Sequence, residues 1–540
     1  MPLLLNEAYL TADRGEEFNN WSVGDLLRQA VIAVPDRPAL ICPALGEGGT
    51  ERRWTYRELQ DDAERAARAL LARFEPGDRV ATWAGASAEI VILQLGAALA
   101  GVVLVTLNPA NRAVELAYLL SQSEVRGLFL DRVFRKLDNV SVLDGLLPGL
   151  PHLEHVIYLD AWREFVAPAG LAAGTHSVST LPMVAPDAPA MILFTSGTTG
   201  KPKGVVLRHS GIVNNARLST ARIAVEPGTV WLNVLPMFHI GGSVTMTLGC
   251  FANLGTQVLL SEFGADSMLD SLQRYGVGVT MAVPTMLHAM FQSERFATTD
   301  FSALQVIVTG GTAIAPELVR AVKQRFAVDV MVLFGQTEAG GCMCLTRRTD
   351  GEDRITSTVG TPLPLSEAKI ISADGGIAAL NQIGEICVRT RCAMIEYFRM
   401  PERTAETLDA EGWVHTGDLG VMNADGYIQV TGRLKDMIIR GGENIYPREI
   451  EDVLAEHPAV AQAAVYGVAD AKWGEQVAAA VILKTGAQTD GDSLTQYLQE
   501  RIARHKVPKI WRFVASFPVN ASGKIQKFML RESHDLPRVS

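Results

Sequence analysis

Continuous apolar runs alternate with amphipathic stretches through most of this chain. Val80–Trp83, Val102–Thr106, Gly127–Leu130, His155–Leu159, Met191–Phe194, Thr229–Val234, Thr256–Leu260 and Gln305–Thr309 are short and apolar at nearly every position. That pattern predicts strands buried on both faces. Between them, Thr55–Ala72, Ala113–Ser121, Asp266–Tyr275 and Pro316–Phe326 repeat apolar residues at helical spacing. Alternation of the two predicts α/β units on largely parallel sheets. Ile90–Leu107 carries no charge over eighteen residues, the lower bound for a spanning helix. Gly101 divides it, so it reads as a buried helix, Ile90–Ala100, and a strand, Val102–Thr106, stopped by Asn108-Pro109.

Beyond about residue 360 the texture changes. Asp374-Gly375-Gly376, Gly384, Gly412, Gly417, Asp425-Gly426 and Gly432 punctuate short strands, predicting a β-rich subdomain with tight turns. A helix at Pro447–His457, strands at Val460–Tyr466 and Val477–Leu483, and a helix at Ser493–Arg504 follow. The expected fold class is therefore α/β: a large N-terminal domain of layered α/β sheets plus a β-rich subdomain, then a small α+β C-terminal domain.

Composition narrows the function. A length of 540 residues suggests three or four structural units and ample core. Lys plus Arg number 49 against 59 Asp plus Glu, a net charge of −10, which argues against a sequence-independent nucleic-acid grip or a polybasic membrane patch. The six cysteines include Cys342-x-Cys344 but no paired C-x2-C knuckle, so they read as reduced thiols of a cytoplasmic enzyme. Met1–Asn6 has no basic region or apolar stretch of signal-peptide type.

The densest chemistry is Thr195-Ser196-Gly197-Thr198-Thr199-Gly200-Lys201-Pro202-Lys203-Gly204, directly after a predicted strand. Hydroxyls, glycines and lysines in a turn make an anion cradle, with backbone N–H groups approaching and Lys201 supplying charge. It is not a Walker A loop, because only two residues separate Gly197 from Gly200-Lys201, and Pro202 follows. The remaining candidates are individually ordinary. His239 alone reads as a core histidine, Thr337-Glu338 as a helix cap, Asp418 as a turn cap, Lys435 and Lys524 as solvated lysines, and Gly441-Gly442 as a plain turn.

Together and in order they carry a resemblance. TSGTTGKPKGV is similar to the phosphate loop of the adenylate-forming (AMP-binding) superfamily, which includes acyl-CoA synthetases, peptide-synthetase adenylation domains and luciferases. Leu235–Gly242 resembles the segment that sets His239 beside the carboxylate pocket, and Gly310-Gly311-Thr312-Ala313 the adenine-flanking turn. Phe334-Gly335-Gln336-Thr337-Glu338 resembles the aromatic-Gly-x-Thr-Glu motif, with Phe334 where Tyr is usual. Trp413–Asp418, Arg433 and Asn520–Lys527 complete the series, and Lys435–Pro447 looks most like medium-chain fatty acyl-CoA ligases.

The resemblance implies ATP, Mg2+ and CoA as cofactors and a carboxylic acid as substrate. It implies nucleotide contacts from Thr195, Ser196, Gly197, Thr198, Thr199, Gly200, Lys201, Gly311, Thr312, Gly335, Gln336, Thr337, Asp418, Arg433 and Lys524. Catalysis would fall to Lys524, His239, Thr337 and Glu338, with Glu338 as the Mg2+ ligand. The acyl pocket would use His239, Ala313, Ala339, Gly340 and Gly341, and CoA would meet Arg440, Gly441 and Gly442. The implied division is a large adenylation domain at 1–432, its β-rich subdomain at about 345–432, a hinge at 433–436 centred on Lys435, and a small mobile domain at 437–540. The small residues near the acyl motifs favour a medium-chain, alicyclic or polycyclic acid. Neither nucleic acid nor a membrane span is expected, and a homodimer is an open option. Alternatives are an acyl-AMP ligase loading a carrier protein, an enzyme of one half-reaction, and a non-catalytic ATP-binding module.

Overall fold

In the computed structural model, which describes residues 4–44, 50–167, 180–195, 202–311, 314–441, 443–470, 472–519 and 525–532, helices begin where a polar cap precedes an apolar run. Thr55 accepts the Glu58 N–H while the Glu58 carboxylate returns a bond to the Thr55 N–H, so the helix Tyr56–Leu71 opens on a capping box. Ser22 and Asp25 do the same for Val23–Ala33, a helix the pattern does not reveal. The uncharged stretch divides as expected into the helix Ala88–Ala100, capped by Ser87, and the strand Val103–Thr106. No helix among the described residues is long and apolar enough to cross a membrane.

The chain forms two compact units, Leu10–Ala368 with Val388–His415, and Met1–Tyr9 with Lys369–Cys387 and Thr416–Ser540. The larger unit holds a seven-stranded sheet in the order Glu396–Tyr397, Lys203–Arg208, Pro189–Thr195, Val103–Thr106, Arg79–Trp83, Gly127–Leu130, His155–Tyr158. From Pro189–Thr195 onward its neighbours are parallel, and the first two strands are antiparallel. A nine-stranded sheet runs Thr361–Pro362, Gly341–Leu345, Asp329–Gln336, Val306–Gly310, Val279–Met281, Val230–Asn233, Thr256–Leu259, Pro38–Cys42, Arg52–Thr55. Its centre is parallel and both edges are antiparallel. The sheets are thus mixed, because a strand that returns through a short turn must pair antiparallel, whereas parallel neighbours need a crossover.

One core joins the two sheets of this unit. Val91 and Leu93 of the buried helix Ala88–Ala100 share a cluster with Leu104 and Leu193 of one sheet and Leu40 and Leu259 of the other. Each such side chain contributes about 2 kcal/mol over its exposed state, so a helix with almost no polar face is stable here.

The later glycine-punctuated region forms a five-stranded sheet ordered Tyr9–Leu10, Ser366–Ile371, Gly384–Thr390, Trp413–Met422, Ile428–Arg433. A second five-stranded sheet pairs Val460–Asp470 with Gly474–Leu483 as a hairpin, with Ile438–Arg440 and Glu443–Ile445 beyond and Ile510–Phe513 parallel. The helices Pro447–Ala455 and Gly491–Gln499 bury Ile450, Leu454, Leu494 and Leu498 with Val465 and Val481. The second helix stops five residues before the expected Arg504 and starts at an Asp490 cap.

Candidate active site

In the nine-stranded sheet the chain leaves Val230–Asn233 for Thr256–Leu259 on one side, then crosses back to Val279–Met281 on the other. The order of winding reverses between Val230–Asn233 and Val279–Met281, and open α/β sheets bind ligands outside the carboxyl ends at such a point. The loop leaving Val230–Asn233 carries His239. Its Nδ1 accepts the Gly241 N–H at 3.2 Å, so the neutral ring keeps its proton on Nε2. The Phe238 carbonyl accepts from the Thr106 hydroxyl at 3.1 Å, which ties the loop to the end of a strand in the other sheet.

His239 leads directly into a π-helix, Gly241–Leu248. The wider turn leaves carbonyls without their usual partners, and buried side chains supply them. Asn233 donates to the Gly242 carbonyl at 3.0 Å and accepts from the Leu235 N–H at 3.1 Å. Thr247 donates to the same Gly242 carbonyl at 2.8 Å, and Gln94, in the middle of the apolar helix, donates to the Ser243 carbonyl at 3.0 Å. A Cβ at Gly242 would lie 2.3 Å from the Pro236 carbonyl oxygen. The turn admits only glycine there.

Thr337-Glu338-Ala339 form the 3-10 turn that joins Asp329–Gln336 to Gly341–Leu345. A bulge falls between Phe334 and Gly335. Gly340 has φ +82°, and a Cβ on it would meet the Cys392 carbonyl oxygen at 2.2 Å. Asn215 brackets Cys342 with two backbone hydrogen bonds, of 2.8 and 3.0 Å, and lies against Gly341. Ala339 is buried. Gly340 is therefore spent on close backbone packing and Gly341 on the Asn215 side chain, which fixes the turn.

The turn aims Glu338 at two hydroxyls. Tyr397 donates to Glu338 Oε1 at 2.7 Å, and Thr195 donates to the same oxygen at 3.2 Å. The Glu338 carbonyl accepts from the Met394 N–H at 2.8 Å. Lys203 Nζ lies 3.8 Å from the centroid of the Tyr397 ring. Burial, with the Glu338 charge second, pushes the Tyr397 phenol above its ordinary range, so it stays protonated and donating. Thr195 is the first residue of the glycine-rich run, and the structure brings this residue to the Thr-Glu motif. A carboxylate that met phosphate would repel it, and a divalent cation held by Glu338 would reconcile the charges. Glu338 offers the hard oxygen that Mg2+ prefers.

In the smaller unit Asp418 and Arg433 are paired across antiparallel strands, with Arg433 Nε 3.0 Å from Asp418 Oδ1. Lys435 follows in a short 3-10 turn. Desolvation of its ammonium, with the Arg433 charge second, pushes Lys435 below the ordinary lysine range, although the residue as a whole is exposed. Arg440 donates to Gln476 at 2.7 Å and stacks 4.8 Å from the Trp473 centroid, while the Gly441 N–H reaches the Trp473 carbonyl at 2.7 Å. Gly311 sits just past Val306–Gly310 with φ +79°. Gln336 ends its strand half-buried, and Thr337 is buried. Ser196, Gly197, Thr198, Thr199, Gly200, Lys201, Thr312, Ala313, Gly442 and Lys524 lie outside the described residues.

Comparison with known proteins settles the family. AMP-binding enzyme matches residues 27–398, and AMP-binding enzyme C-terminal domain matches residues 449–524. This chain is an AMP-binding enzyme. Among its relatives in the family is the putative acyl-CoA synthetase YngI of Bacillus subtilis (strain 168), 35% identical over 95% of this chain and 96% of that protein. The medium-chain acyl-CoA ligase ACSF2, mitochondrial, of Homo sapiens is 33% identical over 97% of this chain and 89% of that protein. Among solved structures of the fold, ATP-bound MatB from Rhodopseudomonas palustris superposes with a TM-score of 0.84, at 28% identity over 95% of this chain and 99% of MatB.

Three residues of this AMP-binding enzyme that shape the site escape sequence reasoning: Tyr397, Asn215 and Asn233. Tyr397 stands 59 positions from Glu338, in a two-residue strand that reads as ordinary core. Asn233 sits among apolar neighbours, and a buried Asn there is the available signal, since it must find partners, whereas Asn215 beside Asn214 and near Arg217 gives none.

Proposed function

We propose that this chain is an AMP-forming acyl-CoA synthetase acting on a medium-chain, alicyclic or polycyclic carboxylic acid. In the first step a carboxylate oxygen attacks the α-phosphorus of ATP. The bond from that phosphorus to the bridging oxygen breaks, and pyrophosphate leaves. In the second, the sulfur of CoA attacks the acyl carbonyl, loses its proton, and AMP leaves. Activation is needed because a free carboxylate is a poor electrophile. Mg2+, when bound, neutralises phosphate charge as pyrophosphate departs.

The observation that carries this reading is the convergence of Thr195 and Tyr397 on the Glu338 carboxylate. In this reading Glu338 holds Mg2+, Thr337 donates to the α-phosphate and Lys524 stabilises charge developing on it. His239 presents its Nε2–H beside the acid, and Asp418 with Arg433 holds the ribose. Residues 433–436 are the hinge between domains 1–432 and 437–540, and alternation there exchanges Lys524 for Arg440, Gly441 and Gly442 as CoA arrives. Val234–Gly242 and Ala339–Leu345 contain no charged residue, which favours an apolar acid over a dicarboxylic one. The six cysteines form no disulfide, in keeping with a cytoplasmic setting.

The test is product analysis by mass spectrometry, with Mg·ATP and a panel of aliphatic, aromatic and polycyclic acids, with and without CoA. Acyl-CoA and AMP together, formed when CoA is present, are expected and name the acid. Acyl-AMP that accumulates and ignores CoA would overturn the CoA assignment.

A further inference from the structure

Tyr397 lies outside the motifs that carry the nucleotide and acid assignments, yet it touches two of them. The residue is 1% exposed. The phenol donates to Glu338 Oε1 at 2.7 Å, and the Thr407 hydroxyl reaches the phenol oxygen at 3.5 Å. The face of the ring carries the Lys203 ammonium at 3.8 Å from its centroid. Its backbone is equally constrained, since Tyr397 pairs with Val205, the Tyr397 N–H donates to Thr404 Oγ1 at 2.9 Å, and the Phe398 N–H donates to the Gly204 carbonyl at 2.7 Å. The ring therefore stands between the strand that leaves the glycine-rich run and the carboxylate at the tip of the Thr-Glu hairpin.

Two hydroxyls on one carboxylate oxygen fix both the plane of the group and which oxygen they leave to other partners. A donor to an ionised acceptor makes a stronger bond than one between neutral groups, and a buried donor does so without competition from water. Both hydroxyls use Oε1, so Oε2 is the oxygen that neither engages. A metal that accepts few protein ligands and demands near-octahedral geometry is sensitive to that orientation.

We infer that Tyr397 is a positioning residue, which orients Glu338 toward a divalent cation shared with the phosphates of a nucleotide. The inference rests on the proposed reading of Glu338 and adds the residue that sets it. Tyr397 touches neither substrate nor metal in this role; it acts through the carboxylate.

The experiment is calorimetric titration of the full-length protein with ATP, once in excess Mg2+ and once in excess EDTA. Wild-type protein is expected to bind Mg·ATP more tightly than metal-free ATP. Tyr397→Phe should weaken Mg·ATP by about tenfold, the loss expected of one charge-assisted hydrogen bond, and metal-free ATP by less than about twofold. In a Glu338→Gln background the same substitution should change Mg·ATP affinity by less than about twofold, since the charge it orients is gone. A second variant, Thr195→Val, removes the other hydroxyl on Oε1 and leaves the ring packing intact, so the metal-selective loss is readable even if Tyr397→Phe misfolds.

Equal losses with and without metal would assign Tyr397 to packing and overturn the inference, as would no loss, or full additivity with Glu338→Gln. Wild-type protein that binds ATP alike in Mg2+ and EDTA would overturn it too, while leaving any acyl-CoA product from the acid panel standing. Protein that binds ATP in neither condition would overturn the parent reading together with this one.

Discussion

Single residues show how burial turns into measurable chemistry. His209 opens the helix His209–Ile223 and is wholly buried; its Nδ1 accepts the Val23 N–H at 3.4 Å, while its Nε2 has no hydrogen-bond partner among the described residues. Burial pushes its pKa down to about 4. The unfolded chain takes up this proton near pH 6.5 and the folded chain only near pH 4, so the unfolded state binds more protons in between. Stability from this residue is therefore full above pH 6.5 and falls as the pH drops toward 4, by about 2 kcal/mol at pH 5. Thermal melts at pH 7 and pH 5 should show that fall in the wild type, and His209→Gln should flatten it. An equal fall in the variant would place the sensitivity elsewhere. Glu338 was legible at this scale because it closes a motif. Tyr397 was not, since a contact across 59 positions leaves no local trace.

At the scale of elements, the π-helix Gly241–Leu248 sets the path of the His239 loop. Gly242→Ala puts a methyl against the Pro236 carbonyl, and overpacking of that kind costs about 1–3 kcal/mol. Denaturant melts should register that loss, with a larger drop in acid-dependent turnover than in ATP affinity. A variant as stable and active as wild type would show that the loop tolerates another path. Strands buried on both faces, such as Gly127–Leu130 and the Val80–Trp83 part of Arg79–Trp83, were legible as largely apolar runs. The π-helix was not, because Ser243, Thr245 and Thr247 alternate with apolar residues at the period of a strand, and every position of the segment is buried. The helix His209–Ile223 was hidden for a related reason: it is buried on most sides and shows little amphipathic contrast. The antiparallel edges escaped because turn chemistry, not strand composition, decides them.

For the whole molecule, the two proposed steps should come apart under mutation. Lys524→Ala is expected to lower acid-dependent ATP–pyrophosphate exchange by at least about a hundredfold, as for removal of one transition-state charge contact, and to leave thiolation of supplied acyl-AMP within about threefold. Equal losses in both assays would end the division of labour assigned to the C-terminal region. The seven-stranded sheet carries one further consequence. Lys203–Arg208 pairs with Glu396–Tyr397 only at Val205 and Val206, so the outermost strand is two residues long. An edge that short gives a passing chain almost no backbone ladder to extend, a common defence against sheet-to-sheet aggregation. The segment that steadies Glu338 is thus also the selvedge of the sheet, and a lesion that frees it would cost solubility together with catalysis.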